Sequence, residues 1–156
     1  MNNIKFNRGK LSNTKLIELY KSILYPRLIE EKMLLLLRQN KISKWFSGIG
    51  QEAVSTGIIN AMNENEYVLP MHRNLSVFTN RGISLKRLFA QWQGKEEGFT
   101  KGRDRSFHFG TNEHKIVGMI SHLGPQLGVA DGIALAEKLK GNKSATVVFT
   151  GDGGTS

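Results

Sequence analysis

The stretch that most constrains this chain is its last one. Residues 145–150, Ala-Thr-Val-Val-Phe-Thr, are mostly apolar or β-branched and run straight into Gly151, Asp152, Gly153 and Gly154. A short apolar run of this kind reads as a buried strand, and as a parallel one, because parallel strands are covered on both faces. The glycines around one carboxyl group let the backbone turn tightly and bring N–H groups close to a ligand. In an open α/β sheet ligands bind beyond the carboxyl ends of the strands, and backbone N–H groups there suit an anion. Asp152 adds a hard oxygen, the donor that Mg²⁺ takes when it joins a carboxylate to phosphate oxygens. The stretch is a candidate metal-bridged diphosphate site. A surface turn with a solvated Asp has the same local pattern.

The 156 residues are enough for one domain with a real core, and 39% hydrophobic with 22% charged is a globular composition. The chain has no cysteine, so disulfides and thiolate metal sites are excluded. Residues 1–10 hold no apolar run of the secretory type, and the apolar run at 33–37 is far too short to span a bilayer. The reading is a soluble, cytoplasmic protein with no membrane partner. The formal charge of +9 is carried by scattered basic residues, dense only near Lys101, Arg103 and Arg105, without aromatic interleaving. That favours a solvated basic surface over a nucleic-acid site.

Ser12 or Asn13 caps a helical pattern in which Leu16, Leu19, Ile23 and Leu24 recur. Pro26 either kinks this helix or begins a second one. The pattern resumes through Leu28, Ile29, Met33, Leu36 and Leu37, with Glu30, Glu31 and Lys32 read onto the wet side. The apolar run at 33–37 suggests burial between layers or against another subunit. A glycine-punctuated loop over 45–50 leads to a second helix from Gln51 to Ile59 or Met62. Residues 66–70 read as a strand closed by Pro70, with His72 and Arg73 directly after it, where side chains face a ligand crevice. Ser84 caps a third helix over 85–92. Residues 94–115, rich in glycine and charge, read as a long surface loop. Residues 115–121 are another strand candidate, followed by a turn and a helix over 126–139 closed by Gly141. Strand, helix, strand predicts a right-handed crossover and a parallel sheet. No metal-ligand spacing joins the four histidines, His72, His108, His114 and His122.

Six stretches occur in one order along nearly the whole chain. They are Pro26-Arg-Leu-Ile-Glu-Glu-Lys, Gly50-Gln-Glu-Ala, His72-Arg73, the run from Gly98 to His108-Phe-Gly110, the run from Ile116 to Ser121-His-Leu-Gly124, and Gly151-Asp-Gly. Together they resemble the α subunit of the thiamine-diphosphate-dependent dehydrogenase component of 2-oxo acid dehydrogenase complexes, of the pyruvate or branched-chain type. The resemblance implies an α/β fold with an open, mostly parallel sheet flanked by helices. It divides the chain into an N-terminal helical arm (1–43) and part of a thiamine-diphosphate-binding domain (44–156), incomplete at its C-terminus.

Residue by residue, the resemblance implies that Asp152 is a Mg²⁺ ligand and that Gly151, Gly153 and Gly154 bring backbone to the diphosphate. Arg73 pairs with the diphosphate, as a guanidinium fork suits phosphate oxygens. His72 replaces the family's usual tyrosine. Ser121 meets the aminopyrimidine ring through its backbone, Leu123 lines that ring, and His122 replaces a frequent proline. Phe46 stands where pyruvate-type members carry a histidine. His108 either lines the substrate entrance or faces solvent, and no residue is assigned as catalytic. The implied reaction is oxidative decarboxylation of a 2-oxo acid with acyl transfer to lipoyl on an acyltransferase core. The β subunit or β domain supplies the glutamate that activates the pyrimidine. A second metal ligand, an asparagine, falls beyond Ser156, so a fragment that binds cofactor weakly and is inactive alone is expected. The alternatives are an acetoin dehydrogenase or transketolase-like enzyme with the same cofactor, and a non-catalytic module docking an acidic partner through its basic surface.

Overall fold

The computed structural model describes residues 7–121 and 123–155; His122 and its departure from the family pattern lie outside the described residues. Among the described residues, five helices and two strands follow in the order α1 (Asn13–Arg38), α2 (Glu52–Ala61), β1 (Tyr67–Leu69), α3 (Leu75–Asn80), α4 (Leu85–Trp92), α5 (Pro125–Leu139) and β2 (Thr146–Val148), and a 3-10 turn covers Asp152–Gly154. The architecture is α/β in the coarse sense, helix-rich around a small parallel sheet.

Pro26 neither breaks nor restarts α1, which is one helix of 26 residues begun by the Ser12 side chain accepting from Lys15 N. A proline inside a helix leaves the carbonyl four residues earlier without its N–H partner. Here that carbonyl, Ser22 O, accepts instead from Thr56 Oγ1 on α2 (3.2 Å) and Asn80 Nδ2 on α3 (3.4 Å). Asn80 Nδ2 also donates to Thr56 Oγ1 (3.2 Å) and Ser76 O (2.8 Å). The group freed by Pro26 is therefore where three helices are stitched together.

The core joins Ile29 and Met33 of α1, Ile59 of α2, Val68 of β1, Val77 and Phe78 of α3, and Leu88 and Trp92 of α4. Met33 is buried, Leu34, Leu36 and Leu37 pack partly against the core, and Leu35 faces out. The third helix in the chain is the short α3, not the one capped by Ser84. Four of the six α3 residues are buried, a length that shows no helical period.

Two strand expectations need correction. Residues 115–121 do not form a strand, because both backbone groups of Ile116 bond to Thr111 across a turn (2.8 and 3.0 Å). Only Lys115 O and Val117 N reach Val68 (2.9 Å each), giving a single parallel bridge on β1. The second correction concerns β2, which is shorter than 145–150 and half-buried rather than buried. Its register on β1 is Tyr67 with Thr146, Val68 with Val147 and Leu69 with Val148. Glu66 sets that register, since Oε1 accepts from Ala145 N (3.0 Å) and Oε2 from Asn63 N (2.8 Å). Those N–H groups hold the Glu66 carboxyl below the usual range against the opposing effect of burial.

The 94–115 segment is not simply a surface loop. Phe107 and Phe109 are buried in the aromatic core beside Phe78 and Trp92. Buried Gln91 of α4 pins the segment through Thr100 (N to Oε1, 3.0 Å; Nε2 to Oγ1, 2.9 Å) and Arg105 O (3.2 Å). A Cβ on Gly98 would meet Gln91 Cα at 2.8 Å, so this contact requires glycine.

Candidate functional site

Three chain segments leave the sheet at the same edge. Because β1 and β2 are parallel, with Phe149 N bonded to Leu69 O (2.9 Å), residues 70–73 and 150–152 emerge side by side. The bridge at Ile116 sends a third parallel segment toward Ser121. The ends meet: a Cβ on Gly151 would lie 3.7 Å from Met71 Cε, and one on Gly154 would lie 3.9 Å from Leu123 Cβ.

A cavity of about 600 Å³ opens against this edge. Its walls include Lys44, Trp45, Phe46, His72, Trp92, Phe107, His108, Met119, Ser121 and Leu123. It thus unites His72, Ser121 and Leu123 of the expected site with Phe46 and His108. Arg73, Gly151, Asp152, Gly153 and Gly154 stand outside its lining. Arg73 is exposed, its Nη1 donating to Ser47 O (3.2 Å) and its guanidinium 6.0 Å from the Phe46 ring centre. Asp152 is exposed and opens the 3-10 turn, whose Gly154 N bonds back to Gly151 O (2.9 Å).

His72 stands edge-on to Phe46, ring centres 4.9 Å apart. Burial lowers its pKa first, with the positive charge of Arg73 acting in the same direction. His108 faces the cavity rather than open solvent, and its Nε2 lies 2.5 Å from Ser121 Oγ. Its buried Nδ1 has no hydrogen-bond partner among the described residues, and burial lowers its pKa too. The Ser121 hydroxyl is thereby oriented by a ring nitrogen that can give or take a proton.

The aromatic wall was not foreseen. Trp45 lies 5.0 Å from Trp92 edge-to-face and 5.2 Å from Phe107. Nor was its anchor, Glu30, which is 1% exposed and not on the wet side. Trp45 Nε1 donates to Glu30 Oε2 (2.6 Å) and Gly48 N donates to Oε1 (3.0 Å). The spacing of the buried positions 26, 29, 30 and 33 is the signal that puts Glu30 on the inner face. Glu52 is a second buried acid. Burial raises its pKa, but bonds from Arg27 (2.6 and 3.0 Å) and from the Gly50 and Glu52 N–H groups prevail and leave it lowered.

The dehydrogenase E1 component family matches residues 20–156. The chain belongs to that family. The 2-oxoisovalerate dehydrogenase subunit alpha of Bacillus subtilis is 34% identical over 148 residues, 92% of this chain and 44% of that protein. The pyruvate dehydrogenase E1 component subunit alpha of Acholeplasma laidlawii is 31% identical over 146 residues, 94% of this chain and 40% of that protein. The mitochondrial 2-oxoisovalerate dehydrogenase subunit alpha 1 of Arabidopsis thaliana is 33% identical over 119 residues, 76% of this chain and 25% of that protein. This E1 chain therefore spans a quarter to less than half of the length of these curated relatives. Among the described residues no three or more His, Asp or Glu side chains are grouped to hold a metal, and no helix is long and apolar enough to cross a membrane.

Proposed function

We propose that this E1 chain forms the α-side edge of a thiamine-diphosphate and Mg²⁺ site for oxidative decarboxylation of a 2-oxo acid, with acyl transfer to lipoyl. One observation carries the reading: beyond the ends of three parallel segments, Met71 lies against Gly151 and Leu123 against Gly154. The donor set suits the cofactor. Asp152 offers hard oxygens for Mg²⁺, and open space at Gly153 leaves its backbone approachable by a phosphate. Arg73 pairs its guanidinium with phosphate oxygens, and His72 donates from the neighbouring position. Ser121 and Leu123 hold the aminopyrimidine, with His108 orienting the Ser121 hydroxyl. When bound, the cofactor supplies the electron sink for decarboxylation. Trp45, Phe46, Trp92 and Phe107 give the cavity an apolar, aromatic wall beside the reacting centre. A β subunit and a lipoyl-bearing acyltransferase complete the assembly in this reading, which is supported by relatives named as alpha subunits and as an E1 component.

Titration calorimetry with thiamine diphosphate and Mg²⁺ tests it. Binding should weaken at least about tenfold in Asp152→Ala, on the scale of losing a charged contact. Equal heats in both proteins, or none in either, would favour a docking module for an acidic partner.

A further inference from the structure

The buried carboxyl of Glu30 is spent on a loop, not on a charge. Each of its oxygens takes one partner from residues 45–48, the Trp45 indole N–H and the Gly48 backbone N–H. The far side of that loop rests on Arg73. Ser47 O accepts from Arg73 Nη1 at 3.2 Å. A Cβ at Gly48 would come 2.0 Å from Arg73 O and 3.4 Å from Glu30 Oε1, so this glycine is wedged between the acid and the backbone of Arg73. The Phe46 ring, between those anchors, touches His72. Helix α1 is thus joined to the exit of β1 through four consecutive residues.

We propose that Glu30 is a positioning residue, which locks the 45–48 loop so that Arg73 is aimed at an anion beyond the sheet edge and Trp45 closes the cavity wall. The anion is a diphosphate group, and this half of the inference rests on the cofactor reading above. The neutral amide of Glu30→Gln keeps the volume but presents a donor to one of the two N–H groups, so one of them is left unpaired.

Hydrogen exchange and pyrophosphate binding with Mg²⁺ separate the possibilities. In Glu30→Gln, protection should fall in segments 45–50 and 71–75 while α4 and α5 keep theirs. Pyrophosphate affinity should drop on the order of tenfold, the scale at which supporting contacts act on a bound ion. In a cycle with Arg73→Lys the losses should not add, because the first acts through the second. Trp45→Phe, which removes one N–H and keeps a ring, should give a smaller loss of the same pattern if Glu30→Gln folds poorly. Unchanged protection, a uniform loss over all helices, or additive affinity losses would overturn the proposal. Absence of pyrophosphate binding in the unmodified chain would overturn the cofactor reading instead, and the exchange pattern alone would then decide the link from Glu30 to Arg73.

Discussion

Thr56→Val tests how α1 tolerates its internal proline. Thr56 is 1% exposed, and its hydroxyl is the closer of two donors to Ser22 O, the carbonyl that Pro26 leaves open. Valine keeps the shape and removes the donor, and Asn80 Nδ2 then reaches Ser22 O only at 3.4 Å. Asn80 loses its Thr56 acceptor as well but keeps Ser76 O at 2.8 Å. One partly buried carbonyl left poorly satisfied costs about 1–2 kcal/mol. For a chain of 156 residues that is a fall of about 3–6 °C in melting temperature. Pro26→Ala restores the N–H that Ser22 O lacks. In that background Thr56→Val should cost less, with a coupling of about 0.5–1 kcal/mol in a double-mutant cycle followed by urea unfolding. Equal costs in both backgrounds would refute the compensation.

Further predictions follow from the buried acids, the pinned loop and the cavity histidines. Glu52 has a folded pKa below its ordinary value of 4.5, so its stabilising effect is present above 4.5 and is lost as pH falls through the lower folded value. Arg27→Met should flatten that acid limb in pH-dependent unfolding; an unchanged profile would remove Arg27 as the cause. Gly98→Ala should destabilise by about 1–3 kcal/mol and raise proteolysis within 94–115, because its methyl meets the α4 backbone. His72 and His108 are lowered from 6.5, so each favours folding above that pH and loses this effect as pH falls through the lower folded value. Imidazole NMR titration should place both midpoints below 6.5; a midpoint above it would mean that the ring is not desolvated.

Much of the site edge was legible because it depends on local chemistry. A β-branched run ending in Gly-Asp-Gly, and a strand ending at Pro70 before His72 and Arg73, mark two sheet exits whatever surrounds them. The Ser12 and Ser84 side chains accept from Lys15 N and Arg87 N as cap patterns predict. What escaped depended on partners remote in sequence. Glu30 lies on the inner face by its spacing, yet its charge type argued for solvent until Trp45 and Gly48 supplied donors. Phe107 and Phe109 alternate with the less buried His108, a local sign that one face packs into the core, but glycines and charges around them hid it. Segment 115–121 had strand composition, and the turn that takes both Ile116 backbone groups left it one bridge.

The central claim, that three segment ends form one diphosphate and metal site, is tested most directly by backbone amide NMR. On titration with thiamine diphosphate and Mg²⁺, the amides of His72, Arg73, Leu123, Gly153 and Gly154 should shift together along one saturating curve. Shifts confined to the basic surface around residues 101–105, or none at all, would contradict it.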